Sequence, residues 1–280
     1  MQSWIHYPKN IKVAKYISCY WLIEKTTLQD INNFPKLNPD PATHLIICPQ
    51  KQGFHYDTAP QVSSGSGSHW LFPQQQTLQI DHSERFIYLG VKFHIGALYS
   101  LDIPDYNHPT LNQADTVDMD HLLSVTGFPA ESLLQIGRTE PLECCDKLDE
   151  LFLPLLTNAK EDQHSEITHK VLQLLDSTAV SELGGKLFCS QRTLERSFNR
   201  VTGLTMKQCQ SMNKLEAMLE YLYQRDASDI DWVDVAFKFG FSDQPHLIRQ
   251  LKKQIGLTPK HYVEERGLTI DIYGGVTARD

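Results

Sequence analysis

The hydrophobic pattern changes along the chain, from short apolar runs in the first half to helical spacing in the second. Residues 43–48, 78–80 and 85–93 are short runs bounded by turn residues, and they predict strands. The run 85–93 is almost continuously apolar, as in a strand covered on both faces. Segment 63–68 reads Ser-Ser-Gly-Ser-Gly-Ser and predicts a flexible loop, whereas 11–24 mixes helical and strand spacing. The first half is therefore predicted to be a small β-rich barrel or sandwich.

Helical spacing begins at about residue 143. Segment 143–156 contains an apolar stripe made of Leu148, Leu151, Phe152, Leu155 and Leu156. The stripe indicates a helix that either packs on its own β-rich region or forms a dimerisation seam. Pro154 predicts a kink or break in this helix. The polar stretch 157–164 is the predicted domain boundary, and from Glu166 onward the pattern is helical throughout.

Two segments of the second half resemble each other. Residues 180–198 and 232–252 each predict a short helix, a tight turn and a second helix that opens with a capping residue, Ser190 in the first and Ser242 or Asp243 in the second. A helix-turn-helix presents its second helix to the major groove of DNA. The segment between them predicts one long helix, 205–223. Such a helix would hold two reading helices roughly 34 Å, or one duplex turn, apart.

The motifs of this half occur in a familiar order. They read GFSDQ at 240–244, KK at 252–253 and GLTPKHY at 256–262. This pattern resembles the AraC/XylS family of bacterial transcription regulators, over residues 166–267. The resemblance implies an all-helical DNA-binding domain with two helix-turn-helix units, preceded by a domain for effector binding or dimerisation.

The predicted fold class is α+β. A β-rich N-terminal sensor domain (1–160) is followed by an all-α DNA-binding domain (161–268), in which a long helix joins two helix-turn-helix units. A C-terminal tail (269–280) completes the chain.

The resemblance implies that the two reading helices supply the DNA contacts. Arginine can bind guanine through two hydrogen bonds, glutamine can do the same with adenine, and glutamate can accept a hydrogen bond from cytosine. The predicted DNA-binding residues of the first unit are Ser190, Gln191, Arg192, Glu195 and Arg196, with Arg200 facing phosphate, and those of the second unit are Gln244, His246, Arg249, Lys252 and Lys253.

Both units depart from the family pattern. In the first, Gly184 stands in place of a packed alanine and Phe188 in place of the turn glycine, so the turn is irregular unless Phe188 packs inward. In the second, Ile248 stands where a polar residue is usual. The second unit is therefore expected to read less sequence than the first.

The charge of the chain is unevenly distributed. A net charge of -8, from 34 acidic and 26 basic residues, argues against a phosphate-binding surface. However, residues 1–165 contain 11 Lys/Arg and 19 Asp/Glu, whereas residues 166–267 contain 14 and 13. The acidity thus belongs to the first half, and DNA binding depends on where the individual basic side chains point.

Other classes of protein lack support in the sequence. No apolar run of 18 residues and no secretory leader occurs, so a cytoplasmic location without a membrane partner is expected. The six cysteines form no C-x-x-C pair and are predicted to be core residues. No G-x-S-x-G, H-E-x-x-H or glycine-rich phosphate loop is found, so we expect neither an enzyme nor a cofactor or metal site.

The N-terminal half leaves two functions open. It could bind a small-molecule effector in an apolar cavity, or it could serve only as an oligomerisation or protein-interaction module. Lys92 and His94, two apart on a strand, would share a face and with Arg85 could meet an anionic ligand. The expected partners are double-stranded promoter or operator DNA and the effector, with RNA polymerase and a second copy of the chain as further candidates. The predicted ligand-binding residues are Trp21, Trp70, Arg85, Tyr88, Lys92 and His94.

Overall fold

The computed structural model describes residues 2–27, 32–58, 61–103, 106 and 109–273. Within these ranges the strands lie in the N-terminal region (2–160) and the C-terminal domain (163–273) is helical, which confirms the predicted α+β class. The strands are β1 (Gln2–His6), β2 (Ile17–Lys25), β3 (Lys36–Leu37), β4 (His44–Ile47), β5 (Gly53–Thr58), β6 (Gln61–Ser66), β7 (His69–Leu71), β8 (Leu78–Ile80), β9 (Phe86–Phe93) and β10 (Ala114–Thr116).

The helices fall into two groups. Those of the N-terminal region are α1 (Ile11–Ala14), α2 (Met119–Leu123), α3 (Ala130–Thr139) and α4 (Pro141–Thr157). Those of the C-terminal domain are α5 (Gln163–Leu175), α6 (Leu183–Lys186), α7 (Gln191–Thr202), α8 (Met206–Tyr223), α9 (Trp232–Lys238), α10 (Gln244–Ile255), α11 (Pro259–Glu265) and α12 (Thr269–Tyr273). Helix α12 lies within the segment predicted to be a tail, whose residues 274–280 are outside the described ranges.

Two antiparallel sheets form the N-terminal region. One has the order β1-β2-β9-β4-β7-β10 and the other the order β3-β8-β5-β6. Strand β9 pairs with β2 on one side and β4 on the other. Its side chains alternate between two cores: Leu89 and Val91 pack with the residues of α3 and α4, whereas Phe86 and Tyr88 pack between the sheets. This double burial explains the continuous apolar run of β9, as its sequence predicted.

The loop predicted at 63–68 is wrong. Strand β6 occupies most of this segment and pairs with β5 in an antiparallel hairpin. Gly65 lies opposite Phe54, and a Cβ at position 65 would approach the Phe54 ring to 2.7 Å. The small side chains therefore make room for an aromatic ring of the neighbouring strand, and the backbone pairing does not depend on their own hydrophobicity.

The mixed spacing of 11–24 and the stripe of 143–156 also resolve into ordinary packing. The first segment is helix α1 followed by β2. Helix α4 continues past Pro154 to Thr157, and its buried residues Leu148, Phe152 and Leu156 belong to the core beneath the six-stranded sheet. The apolar stripe thus packs on its own region, which favours the first of the two alternatives given for it.

The C-terminal domain has two small cores that share one helix. The core of the first unit includes Phe198 together with Cys209 from the start of α8. The core of the second unit includes Leu247 together with Leu219 from the later part of α8. The predicted long helix between the two units is therefore confirmed, and it is the element that joins them.

The six cysteines are unpaired, and five of them are buried. The described ranges contain no group of three or more His, Cys, Asp or Glu side chains arranged to hold a metal ion. No helix in the described part of the chain combines the length and hydrophobicity needed to cross a bilayer.

Candidate functional site

The first helix-turn-helix consists of α6, a tight turn and α7. The Ser190 side chain accepts a hydrogen bond from the Thr193 N–H at 3.1 Å, which caps α7 as predicted. The Cys189 N–H donates to the Gly184 carbonyl at 3.0 Å and closes the turn. A Cβ at position 184 would come within 3.0 Å of the Cys189 carbonyl oxygen, so glycine relieves crowding here.

The residue Phe188 occupies the turn in an unusual way. It has a φ of +50° and is 98% exposed, so the alternative that it packs inward is wrong. In the second unit Gly240 takes the equivalent place with a φ of +64°, and the Phe241 N–H donates to Ala236 at 2.8 Å in the matching closing bond. The two turns have the same form, although the first holds a bulky residue in the left-handed region that favours glycine.

Helix α7 exposes its charged face. Arg192, Glu195 and Arg196 are exposed, while Leu194 and Phe198 on the opposite face are buried in the core of the first unit. Neither arginine forms an ion pair with a described residue. Both guanidinium groups therefore face solvent on one side of the helix, four residues apart.

The remaining polar residue at the start of this helix, Gln191, is half-buried and donates a hydrogen bond from Nε2 to Glu195 Oε1 at 3.1 Å. This bond holds both side chains on the surface of α7. The two of them and the two arginines form one continuous polar face.

The second reading helix, α10, presents a different surface. Asp243 caps it by accepting from the His246 N–H at 2.6 Å. The hydroxyl and N–H of Ser242 lie 3.2 and 3.4 Å from His246 Nδ1. The ring of His246, a predicted reading residue, is therefore held by a neighbour in its own unit. Ile248 and Gln244 are half-buried. The exposed basic residues of the helix are Arg249, Lys252 and Lys253.

The N-terminal region contacts both reading helices at their C-terminal ends. Arg200, near the end of α7, donates from Nε to the Tyr99 hydroxyl at 3.0 Å, and this hydroxyl donates to Asp162 at 2.8 Å. The Gln254 carbonyl, near the end of α10, accepts from the Thr77 hydroxyl at 2.7 Å and from its N–H at 3.2 Å. Arg200, predicted to face phosphate, is thus bound within the chain.

A cavity of about 140 Å³ lies between the N-terminal region and the C-terminal domain. Its wall is mostly apolar: Trp21 and Tyr88 come from the six-stranded sheet, Leu219 from α8 and Ile270 from α12. The polar and ionisable groups Asp40, His44, Lys92, Glu216 and Glu220 also line it.

Four of these groups, Asp40, His44, Lys92 and Glu216, form a network that bridges the two parts of the chain. Lys92 Nζ lies 2.9 Å from Asp40 Oδ2 and 3.2 Å from Glu216 Oε1 on α8. His44 Nδ1 accepts from the Trp21 indole N–H at 3.2 Å, so its proton lies on Nε2, which donates to Asp40 at 3.0 Å. The His44 ring is therefore held in place by hydrogen bonds to both of its neighbours.

The ionisation of the network follows from burial and charge. Burial lowers the pKa of Lys92, but the adjacent carboxylates of Asp40 and Glu216 outweigh it and raise that pKa above its usual value. Burial raises the pKa of Asp40, but Lys92 and His44 outweigh it and lower that pKa. Burial, together with Asp40, raises the pKa of Glu216. Burial also raises the pKa of Glu220.

The structure brings together only three of the six predicted ligand-binding residues. Trp21, Tyr88 and Lys92 line the cavity. Trp70 lies on the opposite face of the sheet, where its ring contacts Phe93 at a centroid distance of 5.7 Å. The other two residues lie outside the cavity.

The expected anion site made of Lys92, His94 and Arg85 does not form. Strand β9 ends at Phe93, so His94 leaves the face of Lys92, and its Nε2 lies 3.1 Å from the Ala14 carbonyl. Arg85 is exposed just before the strand. The predicted alignment of these three side chains on one strand face is wrong, because the strand ends before His94.

Sequence reasoning missed several residues of the cavity. Asp40 and His44 carry no recognisable motif. Glu216 and Glu220 are one helical turn apart on the predicted long helix, so the sequence does indicate that their side chains lie on one face of it. Gly90 is an isolated glycine in a predicted strand, which is typical of a position that another group approaches closely. In the structure this group is Trp21, because a Cβ at position 90 would lie 1.9 Å from its ring.

Residues 183–265 match the family model described as a helix-turn-helix domain. The match covers both helix-turn-helix units, so the C-terminal domain is a DNA-binding helix-turn-helix domain. It is of the AraC/XylS type, and the resemblance found in the sequence is confirmed for this domain. No curated protein sequence matches the chain.

The chain is also similar to several solved structures. Unsaturated-fatty-acid-bound ToxT from Vibrio cholerae is 11% identical, with 90% of this chain and 100% of that chain covered and a TM-score of 0.42. The C-terminal domain of AraT, a response regulator from Geobacillus stearothermophilus, is 18% identical, with coverage of 39% and 92% and a TM-score of 0.34. The DNA-binding domain of AdpA, in complex with a target DNA, is 25% identical, with coverage of 37% and 92% and a TM-score of 0.30.

Proposed function

We propose that this DNA-binding regulator controls transcription by binding a specific promoter or operator sequence, and that a small-molecule effector in the interdomain cavity sets its DNA affinity. The observation that carries the proposal is the composition of the cavity wall. The N-terminal region supplies one side, and α8, the helix that joins the two reading units, supplies the other.

In this proposal α7 is the main reading helix. Arg192 and Arg196 are exposed and free of ion pairs with described residues, so they are available for bidentate contacts to guanine. Gln191 and Glu195 lie beside them and would contact adenine and cytosine edges. Ser190, at the helix N-terminus, would approach the DNA backbone.

Helix α10 contributes mainly to affinity. Arg249, Lys252 and Lys253 are exposed on it and would contact phosphate or base edges. His246 is engaged by its capping neighbours, and Gln244 is half-buried. The second unit therefore reads fewer bases than the first.

Effector control acts through the contacts between the two parts of the chain. The N-terminal region contacts α8 through the Lys92–Glu216 ion pair and the two reading helices through Arg200 and Gln254. A ligand that moves α8 against the sheets would change these contacts together. Couplings of this type are worth about 1–3 kcal/mol, or roughly 5- to 150-fold in affinity. Release of Arg200 from Tyr99 would also make its guanidinium available to phosphate.

Footprinting the protein across its own chromosome would first identify its sites. Fluorescence anisotropy on one such site and on a scrambled duplex then tests the reading residues. Arg196→Ala is expected to weaken binding to the specific site by about 1–3 kcal/mol and to relax base preference at one position. Arg85→Ala, an exposed arginine of the N-terminal region, is the matched control and should change neither.

The salt dependence of the same measurement gives a second check. With about six phosphate contacts, affinity should fall on the order of 10³-fold between 50 and 200 mM salt. Equal affinity for all duplexes, unchanged by Arg196→Ala, would refute sequence-specific binding. If no compound of a metabolite library binds the full chain or alters its DNA affinity, the effector role fails and the N-terminal region is an oligomerisation or interaction module.

A further inference from the structure

We infer that the interdomain cavity accepts a small organic cation with an apolar body, such as an aromatic or aliphatic amine, and not an organic anion. This inference rests on the proposed effector role of the cavity and specifies the chemical class of the ligand. It follows from the balance of charge, the prior engagement of the lysine and the nature of the wall.

The described ionisable groups lining the cavity carry an excess of negative charge. Three carboxyl groups line it, those of Asp40, Glu216 and Glu220, against the single ammonium group of Lys92. The three carboxyl groups also outnumber Lys92 and His44 taken together. An anionic ligand would add a fourth negative group to a largely apolar space, whereas a cation would reduce the imbalance.

The lysine is not available to hold an anion. Its Nζ is within 3.2 Å of both Asp40 and Glu216, and only about a fifth of its side chain is exposed. A ligand carboxylate would have to displace one of these two carboxylates, which would then remain close to it in the same cavity. If the ligand displaced Glu216, the ion pair between Lys92 and Glu216 would be lost, and with it one contact between the two parts of the chain.

A carboxylate acceptor for a cation is already in place. Glu220 lies one turn after Glu216 on α8 and lines the same cavity. It is half-buried and forms no hydrogen bond or ion pair with a described residue. Burial raises its pKa, and a ligand ammonium beside it would offset that effect.

The rest of the wall suits the body of an organic cation. Trp21, Tyr56 and Tyr88 line the cavity and offer aromatic rings, which attract cations through their π-faces. Leu219 and Ile270 supply an aliphatic surface on the opposite side. The volume of about 140 Å³ is close to that of a cavity that holds benzene, roughly 150 Å³. A body of one ring is therefore the appropriate size.

Three probes of matched shape and different charge test the inference. Benzylamine, benzyl alcohol and benzoate are titrated into the full-length protein at pH 7 and followed by ligand-observed NMR and calorimetry. We expect benzylamine to bind at least about tenfold more tightly than benzoate, a factor that corresponds to roughly 1.4 kcal/mol. Benzyl alcohol should fall between the two.

Variants locate the charge that selects the probe. Glu220→Gln should weaken benzylamine by about tenfold and leave benzyl alcohol within about twofold, since it removes charge and keeps shape. Glu131→Gln, an exposed glutamate on α3, is the matched control and should change neither affinity. An unchanged affinity for benzylamine in Glu220→Gln would overturn the role given to this carboxylate.

The outcomes separate this inference from the proposed function. If benzoate binds as tightly as benzylamine, or more tightly, the cation preference is wrong, while the effector cavity stands. If benzyl alcohol binds and benzylamine does not, the cation preference is again wrong and the effector cavity again stands. If none of the three probes binds at millimolar concentration, both the cation preference and the cavity as an effector site are refuted.

Discussion

The fit between Gly90 and Trp21 gives a sharp test of the cavity wall. Gly90 lies in β9, directly opposite Trp21 of β2 and Ile46 of β4. A Cβ added at this position would lie 1.9 Å from Trp21 Cε2, 2.2 Å from Cζ2 and 2.4 Å from Nε1. No side chain tolerates such distances, so in Gly90→Ala the indole ring must leave its place.

The cost of this displacement can be estimated from what the ring loses. Forcing an extra methyl group into a packed site costs about 1–3 kcal/mol. The indole N–H also loses its 3.2 Å hydrogen bond to His44, worth about 0.5–1.5 kcal/mol. Alanine gains up to about 1 kcal/mol by restricting the unfolded chain. We expect a net loss of about 2 kcal/mol in the free energy of unfolding.

Urea denaturation followed by circular dichroism measures this loss. Gly53→Ala is the control, because Gly53 is also in a strand of the N-terminal region and its added Cβ would meet nothing closer than 3.8 Å. The control should be neutral or slightly stabilising. If Gly90→Ala is no less stable than Gly53→Ala, the close approach of Trp21 to β9 is wrong, and with it the shape assigned to this part of the cavity.

Two further predictions concern the turn of the first unit and a buried histidine. Phe188→Gly should stabilise the protein by about 1 kcal/mol in thermal denaturation, because φ is +50° and the exposed ring contributes little packing; a destabilised variant would contradict the left-handed turn. Burial lowers the pKa of His69 to about 4, so the folded protein binds this proton less readily than the unfolded chain. The free energy of unfolding should therefore fall by up to about 3 kcal/mol as the pH drops from about 6.5 to 4. Urea titrations at several pH values should show a shallower fall in His69→Gln, and an identical fall would refute the assignment.

The parts of the structure that the sequence predicted well are those set by local patterns. The caps, turns and helical spacing of the C-terminal domain lie close together in the chain, so the two units and α8 could be found from sequence. Strand β9 was evident because both of its faces are buried. The strand β6 was missed because its pairing with β5 comes from chain geometry, and Ser-Gly repeats carry no apolar period.

The cavity could not be predicted in the same way. Lys92 and Glu216 are 124 positions apart and meet only because the N-terminal region packs against α8. Lys92 was singled out from the sequence and does line the cavity, but the two carboxylates that bind it were not, so an anion was expected. The conformation of Phe188 was equally open, since the sequence does not say whether a turn residue folds inward or adopts a positive φ.

The contacts at Arg200 and Gln254 have a consequence for the geometry of operators. They hold α7 and α10 in one frame, so that under the function proposed above the two reading helices would act as a bivalent binder with a rigid spacer and not a flexible tether. Once the first reading helix is bound, the second would have a high effective concentration at its half-site only where the spacing of the half-sites matches the spacing of the two helices. Inserting one base pair rotates the second half-site by about 34° around the duplex axis, given about 10.5 base pairs per turn. The range of half-site spacings that the protein accepts would then be set by the N-terminal region, although that region itself touches no base.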